Sequence, residues 1–229
     1  GADATVAAPE DYKWVDNVLV AKDYVAEVNG VKYESLEEAV AAANAGDTVY
    51  LTADATGNGI VIDKNLTIDL GGNTYTIDGT LVGSTGTQTL AFQLKKGNDI
   101  TITNGTITST NAKMLIQNYA NLTLDDVSLD GTNSDVMQYV LSNNSGDVAI
   151  VDSTIKANDG VVAFDVCDFQ SYAAPTVTVE NSTIVGEIEI STDSRDTTAG
   201  DTLSLNLVSG DFSAATLDVL EETAVVTKG

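Results

Sequence analysis

The sequence predicts an all-β fold, a single-stranded parallel β-helix with one short amphipathic helix at its N-terminal end. Segments with the same apolar pattern recur every 22 to 29 residues, and each segment alternates apolar and polar residues. Two-residue hairpin signals are absent after the first 30 residues. A β-sandwich would need such turns, and a βαβ fold would need helices between its strands, so a stack of rungs fits the pattern best.

The repeat is defined by five segments that share one template. The template begins with two apolar residues that are two positions apart. A small or apolar residue follows three positions later, and a final apolar residue stands two positions after that. The first segment, "DITITNGTITS", places Ile100, Ile102, Gly105 and Ile107 inward, and the others begin at Asn121, Asp147, Thr176 and Ser204. Alternation of period two within a repeat of this length is typical of a solenoid, which buries aliphatic side chains between stacked rungs.

A third apolar strand precedes each of these segments and completes a rung of three strands. The five third strands are "LAFQL", "MLIQNY", "VMQYVL", "VVAFDV" and "EIEI", which begin at Leu90, Met114, Val136, Val161 and Glu187. Three short strands joined by one bend and two loops form the rung of a parallel β-helix.

The N-terminal part of the chain contains a hairpin and a helix. Asn29-Gly30 predicts the hairpin, because a type I′ turn needs positive φ at both central residues. Ser35 and Glu38 form a capping box for the helix, and Gly46 is placed at its C-terminal end. We therefore expect a β-helix domain over residues 25–229. Residues 1–24 are expected to be an extension that is partly disordered or packed on the first rung.

The stretches "VNGVKYESLEEAVAAANAGDTVYL" and "KNLTIDLGGNTYTIDG" resemble the opening of a known fold. They are similar to the start of right-handed parallel β-helix domains of the pectate-lyase-like superfamily, found in secreted and surface proteins of bacteria. The ending, "LVSGDFSAATLDVLEETAVVTKG", resembles the last rung of such modules. The resemblance covers residues 25–229 and implies a right-handed coil, a helical cap and a secreted or cell-surface location. It specifies a fold and not a reaction.

The composition excludes several classes of function. A formal net charge of −24 argues against nucleic acid or an anionic membrane as a partner, because phosphate binding needs clustered Lys and Arg. The chain has no histidine and one cysteine, Cys167, which removes the usual general base and any disulfide framework. No run of about 18 apolar residues is present, so membrane insertion is not expected. No cofactor is predicted.

Two acidic residues, Asp126 and Asp152, stand at the bend of the template. The second bend position carries Asn, Asp, Asp, Asn and Ser along the stack, at Asn104, Asp126, Asp152, Asn181 and Ser209. These residue types tolerate left-handed backbone, which favours a structural role at a tight corner. The alternative is a calcium ion held by Asp126, Asp152 and neighbouring carbonyl groups.

Relatives of the fold that the chain resembles cleave polysaccharides, so catalysis is a third possibility to weigh. A lyase needs a basic residue beside calcium-binding carboxylates. The single arginine, Arg195, lies in a polar loop, and Lys95 and Lys96 have no acid pair nearby in sequence. Paired carboxylates can hydrolyse glycosides, and Asp165 with Glu187 or Glu189 stays open as such a pair.

Outward polar residues in the third strands predict a binding surface. The phase that buries Phe92, Ile116, Tyr139, Phe164 and Ile188 turns outward a row of amide and carboxylate groups: Gln93, Gln117, Gln138, Asp165 and Glu189. Such a row would hydrogen-bond sugar hydroxyl groups, and Tyr119 and Tyr172 in adjoining loops could stack on sugar rings. The alternative is that exposed strand positions are simply polar.

Two functional classes follow from these observations. The first is a non-catalytic structural or adhesive module of a larger extracellular or surface protein. The second is a module that binds a polysaccharide or a cell-surface glycan through the outward row. A polysaccharide lyase or glycoside hydrolase is the more distant alternative.

Overall fold

A computed structural model describes residues 6–193, 202–220 and 224–229. These residues form a right-handed parallel β-solenoid of about five turns, with one short helix. The predicted fold class is therefore confirmed. In the described part of the chain, no helix has the length and apolar character needed to cross a membrane.

The described residues contain one helix and 22 strands. They are β1 (Tyr12–Val15), β2 (Val18–Ala21), β3 (Ala26–Val28), β4 (Val31–Tyr33), α1 (Leu36–Ala42), β5 (Thr48–Leu51), β6 (Ala55–Gly57), β7 (Ile60–Ile62), β8 (Leu66–Asp69), β9 (Thr74–Ile77), β10 (Leu90–Leu94), β11 (Asp99–Ser109), β12 (Met114–Asn118), β13 (Asn121–Asp130), β14 (Tyr139–Asn143), β15 (Asp147–Val151), β16 (Thr154–Lys156), β17 (Val162–Asp168), β18 (Thr176–Glu180), β19 (Ser182–Thr192), β20 (Ser204–Leu207), β21 (Gly210–Val219) and β22 (Val225–Lys228).

The solenoid has three parallel faces, which we call the first, second and third sheets. The first sheet contains β5, β8, the first half of β11 and of β13, and then β15, β18, β20 and β22. The second contains β6, β9, the second half of β11 and of β13, β16, and the first halves of β19 and β21. The third contains β7, β10, β12, β14, β17 and the second halves of β19 and β21.

The core is built from aliphatic ladders that run along the solenoid axis. In the first sheet, strand pairing brings into one column Ile100, Leu122, Val148, Val177 and Leu205. Each of these side chains is no more than 2% exposed. The pairing of Asp99 with Asn121, and of Asp147 with Thr176, reproduces the alignment of the sequence repeat. The predicted inward positions are thus confirmed in these columns.

The bend between the first and second sheets uses left-handed backbone. The φ angles of Asn104, Asp126, Asp152 and Asn181 are 61°, 56°, 48° and 49°. Asn and Asp adopt this region at lower cost than other side-chain-bearing residues, which explains why they recur here. The left-handed backbone that was predicted for the bend is therefore confirmed at these four positions.

Buried serines complete the bend on its inner side. The Ser153 hydroxyl accepts a hydrogen bond from the backbone N–H of Val127 at 3.0 Å. The Ser182 hydroxyl likewise accepts one from the backbone N–H of Ser153, also at 3.0 Å. Each serine bonds to the backbone of the preceding rung, which offsets the cost of burying a hydroxyl group.

The N-terminal end of the solenoid is closed by α1 and the β3–β4 hairpin. Asn29 and Gly30 have φ angles of 52° and 76°, as the predicted turn requires. The Ser35 hydroxyl accepts a hydrogen bond from the Glu38 N–H at 3.2 Å, and one face of the helix is buried. The helix ends at Ala42, earlier than expected, and Gly46 lies in the following turn with a φ of 88°.

Residues 12–21 of the extension form a hairpin that the sequence analysis missed. Asp16 and Asn17, with φ angles of 48° and 63°, form the two-residue connection between antiparallel β1 and β2. The hairpin is largely exposed, and Trp14 is 48% exposed while its indole N–H donates to the carbonyl of Val6. Lys13 forms an ion pair with Glu34, which links the hairpin to the start of the helical cap.

The C-terminal end of the described solenoid is open. Leu217 and Val219 pair with the buried Ile188 and Ile190, yet they are 47% and 46% exposed. Val226 continues the ladder of Leu205 and is 37% exposed. Their apolar side chains are exposed because no further described rung lies on them.

Replacing Leu124 with Ala tests the aliphatic ladders. Leu124 is fully buried between Ile102 and Ile150. Removing its side chain leaves a cavity and is expected to lower the free energy of unfolding by about 2–5 kcal/mol in urea denaturation. The control is Thr123→Ala on the outer face of the same strand, expected within about 0.5 kcal/mol of the parent. Equal losses in the two variants would contradict the assigned strand phase.

Candidate functional site

Five successive strands of the third sheet, from β10 to β19, carry a polar residue at the same position of the outer face. Strand pairing places Gln93 beside Gln117 and Gln117 beside Ser142, and it pairs Asp165 with Glu189. The Ser142 hydroxyl joins the two parts, because it donates a hydrogen bond to Oδ2 of Asp165 at 3.1 Å. We call these five residues the polar row: Gln93, Gln117, Ser142, Asp165 and Glu189.

The predicted position of Gln138 in this row was wrong. β14 begins at Tyr139, so Gln138 is exposed ahead of the strand and Ser142 pairs with Gln117 instead. The consecutive residues Val140 and Leu141 are both fully buried, so the strand does not alternate there. Simple alternation therefore placed Tyr139 inward, whereas it is only half-buried and lines the outer cleft described below.

Hydrogen bonds connect the polar row along the axis. The ammonium group of Lys95 donates to Oε1 of Gln93 at 2.6 Å, and Nε2 of Gln93 donates to Oε1 of Gln117 at 2.9 Å. At the other end, the Ser191 hydroxyl donates to Oε1 of Glu189 at 2.9 Å. One end of the row thus carries a lysine and amides, and the other end carries carboxyl groups.

An aromatic cluster stands beside the row, and we call it the aromatic wall: Tyr119, Phe169 and Tyr172. The ring centroid of Tyr119 lies 5.8 Å from that of Phe169 and 5.3 Å from that of Tyr172. Nζ of Lys96 lies 4.6 Å from the ring centroid of Tyr172, a cation–π distance. The structure therefore brings the two predicted tyrosines together.

The positions of Phe169 and Lys96 beside the two tyrosines were not predicted from the sequence. Phe169 follows β17 in the stretch "DFQSY", two residues after the isolated Cys167. The aromatic residues in that short loop were the available signal, since a loop that carries two rings beside a strand edge can form one cluster. The position of Lys96 depends on a turn whose path the repeat does not specify.

Part of the polar row and one ring of the aromatic wall line a cleft of about 260 Å³. Its lining includes four members of the row together with Tyr139 and Phe169. Concave sites with a few converging polar groups beside aromatic rings are the usual form of small-molecule sites in proteins.

Asp165 has the most perturbed chemistry in the cleft. Its side chain is 4% exposed, and burial raises the pKa of the carboxyl group to about 8. Hydrogen bonds from the Asn143 N–H and the Ser142 hydroxyl oppose this increase, whereas the nearby Glu189 adds to it. At neutral pH, Asp165 is therefore mainly protonated.

Two neighbouring groups also keep their protons. Burial raises the pKa of Cys167 to about 12, with a contribution from Asp165, so its sulfur is a thiol at neutral pH. Burial likewise raises the pKa of Tyr139 to about 12, with further contributions from Glu189 and Asp165. A thiol and a phenol of this kind donate and accept hydrogen bonds but are poor nucleophiles.

Two buried asparagines support the row from inside the solenoid. Asn118 and Asn143 are fully buried, and Nδ2 of Asn118 lies 3.4 Å from Oδ1 of Asn143. Nδ2 of Asn143 donates to the backbone oxygen of Asp165 at 2.9 Å, which fixes the strand that carries the carboxyl group. The sequence analysis missed this pair, because inward positions were expected to be apolar.

The bend residues Asp126 and Asp152 lie on a different part of the surface. Both are exposed, and Nδ2 of Asn181 donates to Oδ1 of Asp152. Within the described ranges, no group of three or more acidic or cysteine side chains is arranged to hold a metal ion. Asp152 is thus bonded to Asn181, the bend residue of the next rung.

The structure also gives the positions of charged residues that were considered for catalysis. Glu187 pairs with Val162 and Glu189 with Asp165, so Asp165 and Glu189 are the carboxyl groups in register. Lys95 is bonded to Gln93, and Lys96 lies over Tyr172. Arg195 lies outside the described residues.

Comparison with protein-family models, with curated proteins and with solved structures finds no match to this chain. The β-solenoid itself is established by strand pairing. The narrower pectate-lyase-like kinship stays a resemblance carried by the residues quoted above.

Asp165→Asn tests the buried carboxyl group through the pH dependence of stability. The folded chain holds this proton up to about pH 8, whereas the ordinary pKa is 3.8. The neutral carboxyl group makes its full contribution to the free energy of unfolding below the ordinary pKa of 3.8. That contribution is lost as the pH rises through the folded pKa of about 8. The unfolding free energy of the variant minus that of the parent should therefore grow from pH 5 to pH 8 and then level off.

Urea denaturation across this range measures the difference, with Asp125→Asn at an exposed position as the control. A difference that does not change with pH would show that Asp165 is ionised in the folded chain.

Asp126→Val tests the corner. A β-branched residue in left-handed backbone is expected to cost about 1–2 kcal/mol, whereas Asp126→Asn should be nearly neutral. Adding calcium should leave the melting temperature of the parent and of Asp126→Asn unchanged. A calcium-dependent increase that occurs only in the parent would instead assign a cation to this bend.

Proposed function

We propose that this protein is a non-catalytic extracellular scaffold module that binds a linear oligosaccharide along its third sheet. The observation that carries the proposal is the polar row, with one hydrogen-bonding side chain per rung in register beside an aromatic wall. Amide and hydroxyl groups both donate and accept hydrogen bonds, as sugar hydroxyl groups do. Aromatic faces add apolar contact for sugar rings.

The spacing of the row favours a ligand that lies along the axis. Neighbouring strands in a sheet are about 4.7–4.9 Å apart, which is close to the length of one pyranose unit. A linear glycan could therefore place successive sugars over successive rungs. The net charge of −24 disfavours polyuronates, since like charges repel.

A structural or adhesive spacer within a larger surface protein is the second candidate. The continuous strand ladders from β5 to β22 favour it, because a stack held by hydrogen bonds along its whole length makes a stiff rod. This role is compatible with glycan binding, since a stiff module can present a ligand site away from its anchor. Secretion or surface display is part of the same proposal.

Catalysis by Asp165 and Glu189 is the less favoured alternative. Both carboxyl oxygens of Asp165 are hydrogen-bonded, to Ser142 and to the backbone of Asn143, and the side chain is buried. A general acid must reach the glycosidic oxygen of its substrate, and the burial and hydrogen bonds of Asp165 favour a structural role over that one. We therefore assign Asp165 to the floor of the cleft.

The proposal is tested by binding of oligosaccharides of increasing length, measured by isothermal titration calorimetry. Affinity is expected to increase with each added sugar until the chain spans the row and then to level off. Tyr172→Ala should weaken binding about tenfold, equivalent to about 1.4 kcal/mol.

The matched control is Tyr50→Ala, which removes an exposed tyrosine from the first sheet and should leave affinity unchanged. The proposal fails if no neutral or amino sugar oligomer binds. It also fails if the two tyrosine variants weaken binding equally.

A further inference from the structure

We infer that the cleft selects sugars that carry a protonated amine, which it binds at the Glu189 end of the polar row. This inference rests on the proposed glycan binding and names the chemical class of the ligand. It depends on how charge is distributed along the row.

The polar row has cationic groups near one end and acidic groups near the other, and only the acidic end lines the cleft. The ammonium groups of Lys95 and Lys96 lie at the Gln93 end, where they contact an amide oxygen and the ring of Tyr172. At the opposite end, the cleft is lined by Glu189 and Asp193. Any ligand along the row meets cationic groups at one end and acidic groups at the other.

Among the described residues, no basic side chain forms an ion pair with Glu189. Its Oε1 atom accepts a hydrogen bond from the neutral Ser191 hydroxyl. Across residues 6–193, 202–220 and 224–229, the one ion pair joins Lys13 to Glu34, far along the chain. A carboxylate that lines a cleft without a cationic neighbour attracts a cation from solution, more strongly than a fully solvated one does.

Glu189 also acts on the titratable groups beside it. It contributes to raising the pKa of both Asp165 and Tyr139, which face the same cleft. Burial is the main reason that the pKa of Asp165 rises to about 8, and Glu189 adds to that increase. A ligand ammonium group would meet a carboxylate together with hydroxyl acceptors at Ser191 and Tyr139.

An organic cation fits this end better than a metal ion does. Metal binding needs several ligands converging on one point, and no such group of acidic or cysteine side chains occurs among the described residues. An ammonium group on a sugar needs only one carboxylate and a few neutral acceptors, because the rest of the sugar supplies further contacts. Acetylation of that amine removes the charge and enlarges the substituent.

Calorimetry with two oligomers of equal length tests the inference: oligomers of glucosamine and of N-acetylglucosamine. The parent should bind the free amine form about tenfold more tightly at neutral pH and low salt. Glu189→Gln should remove most of this preference while leaving affinity for the acetylated oligomer within about twofold.

Glu180→Gln is the matched control for general attraction between a cationic ligand and an acidic protein. Glu180 is exposed at the end of β18 on the first sheet, and its replacement removes the same unit of charge. The Glu180→Gln variant should prefer the free amine oligomer to the same extent as the parent does. Urea denaturation of both variants checks that each remains folded.

The possible outcomes separate the inference from the proposed function. If both oligomers bind alike, or if the two glutamate variants reduce the preference equally, the amine selectivity is overturned while glycan binding stands. If neither oligomer binds nor any neutral oligosaccharide does, the proposed function itself fails. Loss of the preference only in Glu189→Gln supports the inference.

Discussion

The structure depends on one constraint, the register that holds each rung directly over the one before it. An isolated rung cannot bury its own aliphatic side chains, because the ladder partners of Ile100 or Leu124 come from neighbouring rungs. Parallel hydrogen bonding keeps those partners aligned. The same alignment acts on the outer face, where it turns scattered residues such as Gln93 and Gln117 into a continuous row.

Much of this arrangement could be predicted from sequence, because the repeat records the register. The inward columns of the first sheet follow from strict alternation, and the bend follows from Asn and Asp residues that accept left-handed backbone. The third sheet was harder to predict. Around Tyr139, apolar residues occupy both the inward and the outward positions of the strand. Val140 and Leu141 are adjacent and both buried, which breaks the alternation on which the prediction relied.

The residues of the candidate site also divide into those that the strand pattern predicts and those that it does not. Gln93, Gln117, Asp165 and Glu189 were predicted because they lie in strands with a readable phase, whereas Ser142 was missed with its strand. The aromatic wall required knowledge of loop paths, which place Phe169 between residues far apart in sequence. The buried pair of Asn118 and Asn143 could not be inferred from polarity, since each asparagine is accommodated only by partners that tertiary structure supplies.

The open C-terminal end has a consequence for how the molecule behaves at high concentration. Exposed apolar side chains on a strand, such as Val226 on β22, favour pairing between molecules. Mutual repulsion between chains of net charge −24 opposes such pairing at neutral pH. As the solution is acidified toward the isoelectric point of about 4.1, that repulsion vanishes, and apolar surface that is harmless at neutral pH begins to govern solubility.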